Sequence, residues 1–482
     1  MAERDLYLAI DQGGHASRAL VFDMSGKVVA QAFTNMATQH PAADRVEHDP
    51  QEMLQSIRDA LSEITDQLGD RCHQIRAAGL ATQRSSICCW DHISGEAFSP
   101  VISWQDRRAA DWLTQFSDQE ERVHALTGLR LSPHYGASKL HWCLEHLPEV
   151  AKGQRAGRLS FGPLASFLLF QLLKERPLLT DPANASRTLL WDFHRLDWSP
   201  ELLELFSIPA DALPHCIPSH HPFGTLLLGN HPVPLTITTG DQSAALFAYG
   251  TSQRDCLYVN MGTGAFVQHP SGGTPPDPGR LLASVVHQDG QGPHYVMEGT
   301  VNGAGSALDW AQHELNIEAQ AMPGMLEEGL DQATEPPLFL NGISGLGSPF
   351  WVADFSSRFT GEGDTQAKLV AVAESILFLL QTNIEQLQAS SSQKLERILI
   401  SGGLASQDGL CQCLANLTSL TVQRSDITEA TALGLAFLLA DQPAIWNKKQ
   451  SVKSFQPKAH PGLTHRYEHW RLVMKNALAD KH

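Results

Sequence analysis

The sequence has no long hydrophobic run. Its greasiest stretches, SFLLFQLL (166–173) and SILFLL (375–380), are too short to span a bilayer. The opening MAERDLYLAI carries acid among its first residues and does not read as a secretory leader. Positive charge is also short: 35 Lys and Arg against 52 Asp and Glu leave a net charge of −17. That argues against nucleic acid or an anionic membrane as partner, since both need a basic surface. Eight cysteines are present but no CxxC. Cys88 and Cys89 are adjacent, and Cys411 and Cys413 are spaced CxC; neither pair has zinc-site spacing. Free thiols in a reducing cytoplasm are the expectation. The phosphate loop GxxxxGK[ST], the dinucleotide fingerprint GxGxxG, the zinc motif HExxH and the nucleophile elbow GxSxG are all missing. No linker, charge run or low-complexity tract interrupts the chain.

What is there is a 482-residue chain, 42% apolar, long enough for two domains with sizeable cores. Alternating strand and helix patterns predict an α/β fold with mixed sheets. Leu6, Leu8 and Ile10 alternate ahead of the turn DQGG, and ALVFD (19–23) follows it. EHDPQEML predicts a helix capped by Asp49, with Pro50 first, Glu52 three after the cap, and an apolar face of Met53, Leu54, Ile57, Leu61, Ile64 and Leu68. Residues 75–91 read as a strand that breaks and resumes, 234–250 as strand, turn and helix, and 256–273 as two strands about a Gly-Thr-Gly turn. A helix over 365–388 is predicted with Asp364 as its cap, then strand, Gly402-Gly403 and helix over 395–420, and a small-residue helix over 428–441. Beyond about residue 442 the pattern loosens. The plan of 6–23 recurs at 256–273, which hints at an internal duplication.

Glycine turns at strand ends can aim successive N–H groups into one concavity and so bind an anion. Four such turns occur, at Gly13, Gly240, Gly262 and Gly402, with Asp11 and Asp241 beside two of them. An acid so placed holds a cation, accepts a proton, or caps the helix that follows. Four turns in one chain point to phosphate binding.

The segments AIDQG, SRALVFD, VEHDP, TQR, GEAFSPVISWQDRRA, TDPANASRTLLWDFHRLDW, GDQSAALFAYG, GTGAF, GLGSPFW, SGGLASQDGLCQCLANL and EATALGLAF, in this order, resemble the FGGY family of carbohydrate kinases, and its glycerol kinase branch most. The resemblance implies a two-domain fold of the actin and hexokinase (ribonuclease H-like) type, with domains 1–248 and 249–482 and the active site in the cleft between them. It implies transfer of the γ-phosphoryl of Mg-ATP to a hydroxyl of a small sugar or polyol by a cytoplasmic enzyme, alone or as a homodimer.

Residue by residue, the resemblance makes Asp241 the catalytic base and Asp11, with Asp241, the Mg²⁺ ligand. Gly13, Gly14, His15, Ser17 and Arg18 fall on a first phosphate hairpin, and Gly262 and Thr263 on a second. Gly305, Leu308, Gly402, Gly403 and Gln407 fall around the nucleotide. Gln83, Arg84, Ser85, Trp104, His134, Tyr135, Gln242 and Phe266 fall on the substrate side. Several positions depart from the pattern. Ser85 and His134 stand where the branch carries a glutamate and a tyrosine, and Tyr135 replaces a phenylalanine. Gly14-His15-Ala16 replaces a hydroxyl-rich Thr-Thr-Ser, and Ser401 an aspartate. Ser85 cannot accept hydroxyl bonds as a carboxylate does, and it leaves room, which favours a pentitol or ketose over glycerol. The altered loop leaves open a weakly catalytic relative that senses sugar or nucleotide. An actin-like assembly module would need no sugar pocket.

Overall fold

The computed structural model describes residues 5–331, 335–391, 393–444, 446 and 452–479. Two large mixed sheets organise it, and they share one plan. In the first, strands Leu6–Gln12, Ala16–Asp23 and Val28–Asn35 run as an antiparallel meander. Ile75–Thr82 then lies parallel to Leu6–Gln12, and His231–Gly240 parallel to Ile75–Thr82. In the second, Cys256–Met261, Ala265–Gly272 and Gly292–Val301 form the meander, followed by the parallel strands Arg397–Ser401 and Thr421–Ser425. The repeated order is the internal duplication at which the sequence hints.

The helix Pro50–Leu68 begins as its sequence dictates. Asp49 accepts hydrogen bonds from the N–H groups of Gln51 and Glu52, and Pro50 takes the first helical position. Glu52 does not reach back to complete a capping box; it accepts from the Ala37 N–H instead. The apolar face, Met53 through Leu68, is buried against the first sheet. In the second half the helix Thr365–Ser390 is capped by Asp364. Its length and hydropathy would suit a membrane span, but it is mostly buried in the second core.

Leu6–Gln12 is buried on both faces. Leu6, Leu8 and Ile10 join the first core, while Tyr7 and Ala9 join a third cluster between the two sheets. The helix Ala430–Leu439 supplies the other side of that cluster. It comes from the second half of the chain but packs on Leu6–Gln12, Ile75–Thr82 and Asp241–Ala245 of the first. Gly434 permits the approach: a Cβ there would lie 1.9 Å from the Ala244 carbonyl oxygen.

The strand over 75–91 breaks and resumes as expected, and it resumes in another sheet: Ile87–Asp91 pairs with Leu159–Pro163 in a separate five-stranded sheet. One expectation needs correction: the chain after residue 442 is not loose, since Val452–Phe455 edges the second sheet and Pro461–Ala479 is a helix. Leu463, Tyr467, Trp470, Met474 and Ala477 form its narrow buried stripe, which exposed His, Arg and Glu residues hide from a pattern search.

Candidate active site

A cavity of about 340 Å³ opens between the two sheets. Asp11, Arg18, Arg84 and Gln242 line it from the first half; Asn260, Phe266, Gln268, Glu298, Ser401, Gly402 and Glu429 line it from the second. The strand ends place these groups. Leu6–Gln12, Ile75–Thr82 and His231–Gly240 run parallel and finish side by side, so the residues at or just past their ends, Asp11, Arg84 and Asp241, converge.

Asp11 faces Arg18 across the hairpin, with Nη1 to Oδ2 at 3.4 Å. The Arg18 Nε also meets Glu429 at 3.4 Å, so one guanidinium ties the first hairpin to the start of the helix Ala430–Leu439. Burial and the neighbouring Asp241 carboxylate push Asp11 up to about 7, against the pull of Arg18. Burial likewise raises Asp241, opposed by Arg84 and by the Gln242 N–H it accepts at 2.7 Å. Two carboxylates in one cleft, Asp241 raising Asp11, fit a divalent cation. Among the described residues no third His, Cys, Asp or Glu joins them. A bound Mg²⁺ would therefore complete its shell with phosphate oxygens and water, as it commonly does.

Trp104 and Phe266 are both more than a third exposed, and of the two Phe266 lines the cavity. Trp104 lies tilted against His134, ring centres 5.3 Å apart, and His134 meets Tyr135 edge-on at 5.0 Å. Burial and the cations Lys139, Arg187 and Arg84 hold His134 well below the usual range, so its ring is neutral. Ser85 is buried with φ of 65° and an unpartnered hydroxyl. Lys139 holds this region together, donating to the backbone oxygens of Ser85 at 3.1 Å and His134 at 2.6 Å.

Other expected site residues lie elsewhere or behind the cavity wall. The Ser17 hydroxyl turns away into the first core and bonds Ser56 at 2.7 Å; it is a strand residue on the inward face. Gln83 is buried and braces the first turn through the Gly13 carbonyl at 3.3 Å. Leu308 is buried in the second core and supports the site only from behind. Gly262 and Thr263 do form the second turn, and their carbonyls accept from the N–H groups of Gly305, Ala304 and Ser306. Gly305 packs there because a Cβ would come within 2.8 Å of the Gly262 oxygen. Gly402 has φ of 95° and lines the cavity; Gly403 follows it, and Gln407 precedes the helix Asp408–Thr418. Gly14 and His15 sit on the open rim, with His15 Nδ1 3.2 Å from the Thr38 hydroxyl.

Matches to known families fall on the same two halves. Residues 6–248 match the N-terminal domain, and 257–441 the C-terminal domain, of the FGGY family of carbohydrate kinases. The chain belongs to that family. The kinase is 32% identical to the glycerol kinase of Ectopseudomonas mendocina, over 98% of this chain and 99% of that one. It is 34% identical to the glycerol kinase of Methylobacterium nodulans, over 90% and 88%. Its fold is similar to the Plasmodium falciparum glycerol kinase solved with ADP, with a TM-score of 0.89 at 22% identity, over 99% of each chain. It is similar too to the Rhodospirillum rubrum xylulose kinase, with a TM-score of 0.86 at 20% identity, over 98% of each. The two-domain α/β fold and the assignment as an ATP-dependent phosphotransferase acting on a carbohydrate or polyol therefore stand.

The sequence reading passed over Arg187 and Glu298. They pair across the two halves at 3.2 Å, both buried. Glu298 is the one acid in the largely buried strand Gly292–Val301, and that isolation was the signal to follow.

Proposed function

We propose that the kinase phosphorylates a small polyhydroxylated substrate longer than glycerol, a pentitol or a ketose, with Asp241 as base. The observation that carries this is the convergence of Asp11, Asp241 and Arg84 at three adjacent strand ends. In the step, a substrate hydroxyl oxygen forms a bond to the γ-phosphorus while the bridging bond to ADP breaks, and the hydroxyl proton passes to Asp241. A carboxylate raised by burial is the better proton acceptor for this. Mg²⁺, held by Asp11 and Asp241, would supply charge neutralisation on the phosphates. Arg18 is placed to meet phosphate oxygens, and the turns at Gly13 and Gly262 to offer N–H groups; Gly402, Gly403 and Gln407 border the adenosine side. Trp104 and Phe266 would pack on substrate carbon, while Arg84, Gln242 and the neutral His134 offer donors to oxygen.

Ser85 supports the longer substrate, since it is smaller than the glutamate that the glycerol kinase branch carries at this position and its hydroxyl has no hydrogen-bond partner. Residues 1–248 and 249–482 are taken as the domains, because Asp241–Ala245 continues from the strand His231–Gly240 of the first sheet and Cys256–Met261 opens the second sheet. Eight free thiols, seven of them buried, support a cytoplasmic setting. The net charge of −17 supports action without nucleic acid or membrane.

ADP release measured against glycerol, pentitols and pentuloses tests the reading. Turnover with a five-carbon substrate, lost in Asp241→Asn, is expected. Preference for glycerol would return the enzyme to its named relatives' substrate, and binding without turnover, unchanged in Asp241→Asn, would make it a sensor.

A further inference from the structure

Asp11 and Glu429 both line the cavity. Asp11 has a task there as a candidate Mg²⁺ ligand. Glu429 has none so far, and an acid beside a phosphate site repels its ligand. Among the described residues no group of three His, Cys, Asp or Glu is placed to hold a cation, so Glu429 is not a third ligand beside Asp11 and Asp241. What Glu429 meets is Arg18. Its Oε2 lies 3.4 Å from Arg18 Nε, while Asp11 Oδ2 lies 3.4 Å from Nη1. Those nitrogens sit on opposite sides of the guanidinium, so two carboxylates fix its plane, and neither contact uses Nη2. The head lies over the first glycine turn: a Cβ on Gly13 would come 3.4 Å from Nη1. Arg18 is a third exposed, and a long side chain so placed samples many rotamers unless it is held. Glu429 is itself well fixed. Its carbonyl accepts from the Leu433 N–H at 3.0 Å, which starts the helix Ala430–Leu439. Two residues on, the Thr431 hydroxyl donates to the Asp241 carbonyl oxygen at 3.4 Å. One helix start from the second half thus touches both the arginine of the first turn and the turn that carries the proposed base.

Resting on the reading of Arg18 as a phosphate contact, we infer that Glu429 is a positioning residue for phosphoryl transfer: through Arg18 Nε it holds the guanidinium over the first turn, with Nη2 turned to a phosphate oxygen of the nucleotide and in register with Asp241. Positioning and charge stabilisation are most of what this reaction asks of a protein. A planar guanidinium gripped at one edge keeps its remaining N–H groups in a fixed direction, which a lysine could not do. Of the two carboxylates that grip Arg18, Asp11 is also wanted by a cation, whereas Glu429 is left to this one task. The repulsion between Glu429 and the nucleotide is then offset by the aim it gives to Arg18.

The test reads nucleotide binding directly, by calorimetry with the Mg²⁺ complex of a nonhydrolysable ATP analogue, so it needs no phosphoryl acceptor. The two roles open to Glu429 differ in sign. A bystander acid only repels the nucleotide, and Glu429→Ala would then bind it as tightly as the wild type or more tightly. A positioning residue requires weaker binding, by about tenfold, the worth of one charge-assisted contact. Arg18→Ala should weaken binding at least as much. Adding Glu429→Ala to Arg18→Ala should cost no more than about twofold further, because Glu429 acts only through Arg18. The ligand-free melting temperature of Glu429→Ala should stay within about 2 °C of the wild type, as for a part-exposed ion pair. Unchanged or tighter binding in Glu429→Ala overturns the inference. So do losses that multiply in the double variant, a larger fall in melting temperature, or a loss recovered by raising Mg²⁺ alone, which would make Glu429 a cation ligand. Normal nucleotide binding in Arg18→Ala overturns the phosphate reading of Arg18 itself, a failure distinct from the others because it appears in the single arginine variant.

Discussion

The two glycine turns that open the two sheets have the same backbone plan and opposite chemistry. The first, at Gly13, is framed by side-chain charge: Asp11 and Arg18 pair across it, and its tip is held by the Gln83 amide, the Thr38 hydroxyl and the Met36 N–H. The second, at Gly262, carries no charge. Its carbonyls are taken up by the N-terminus of the helix Gly305–Glu314. A duplicated scaffold has divided its labour. The first turn carries the charged pair, and the second is a braced backbone surface. Side chains at one and backbone at the other should therefore be the sensitive elements.

The strongest break in that comparison is Asp11→Ala, with Asp241→Asn beside it. Each is expected to lower kcat by about 10²–10⁴-fold, the usual range for losing such a group, in a steady-state assay at saturating Mg-ATP. Thr263→Val in the second turn should cost far less. Next come the glycines. Gly402→Ala places a Cβ 2.4 Å from the Met261 carbonyl oxygen at a φ of 95°. A loss of about 1–3 kcal/mol in urea unfolding is expected, with weaker nucleotide binding.

Lys139→Met should raise KM for the phosphoryl acceptor more than it lowers kcat, because it frees the Ser85 and His134 carbonyls. It carries a pH signature as well. Burial lowers Lys139 from its ordinary value to about 7, so the folded chain binds fewer protons than the unfolded chain above pH 7. The wild type should gain stability over Lys139→Met between pH 7 and 9, by about 1 kcal/mol per pH unit at most. Smallest is the double change Gly14→Thr, His15→Thr. A Cβ at Gly14 meets nothing within 4 Å. Thermal stability should stay within about 0.5 kcal/mol, and any change should appear in KM for ATP alone.

Most strands, the caps at Asp49 and Asp364, and the duplicated plan were legible because each rests on local pattern. What pattern cannot state is which sheet a strand enters, and Ile87–Asp91 illustrates this. Of the site, Asp11, Arg18, Arg84, Gln242, Phe266 and Gly402 do border the cavity. Ser17 was misread because residue type says nothing of which face of the strand a hydroxyl occupies. Arg187 and Glu298 lie 111 positions apart and become a pair only through the fold.

The helix Ala430–Leu439 has a consequence for biosynthesis. It covers the face of the first sheet that bears Tyr7, Ala9, Leu20 and Phe22. During translation that face is complete once residue 240 has left the ribosome, yet its cover emerges roughly 190 residues later. At about 5–20 residues per second, this amounts to roughly 10–40 s of exposed apolar surface. A chain stopped before residue 430 should therefore aggregate even though every residue of its own sheet has been made.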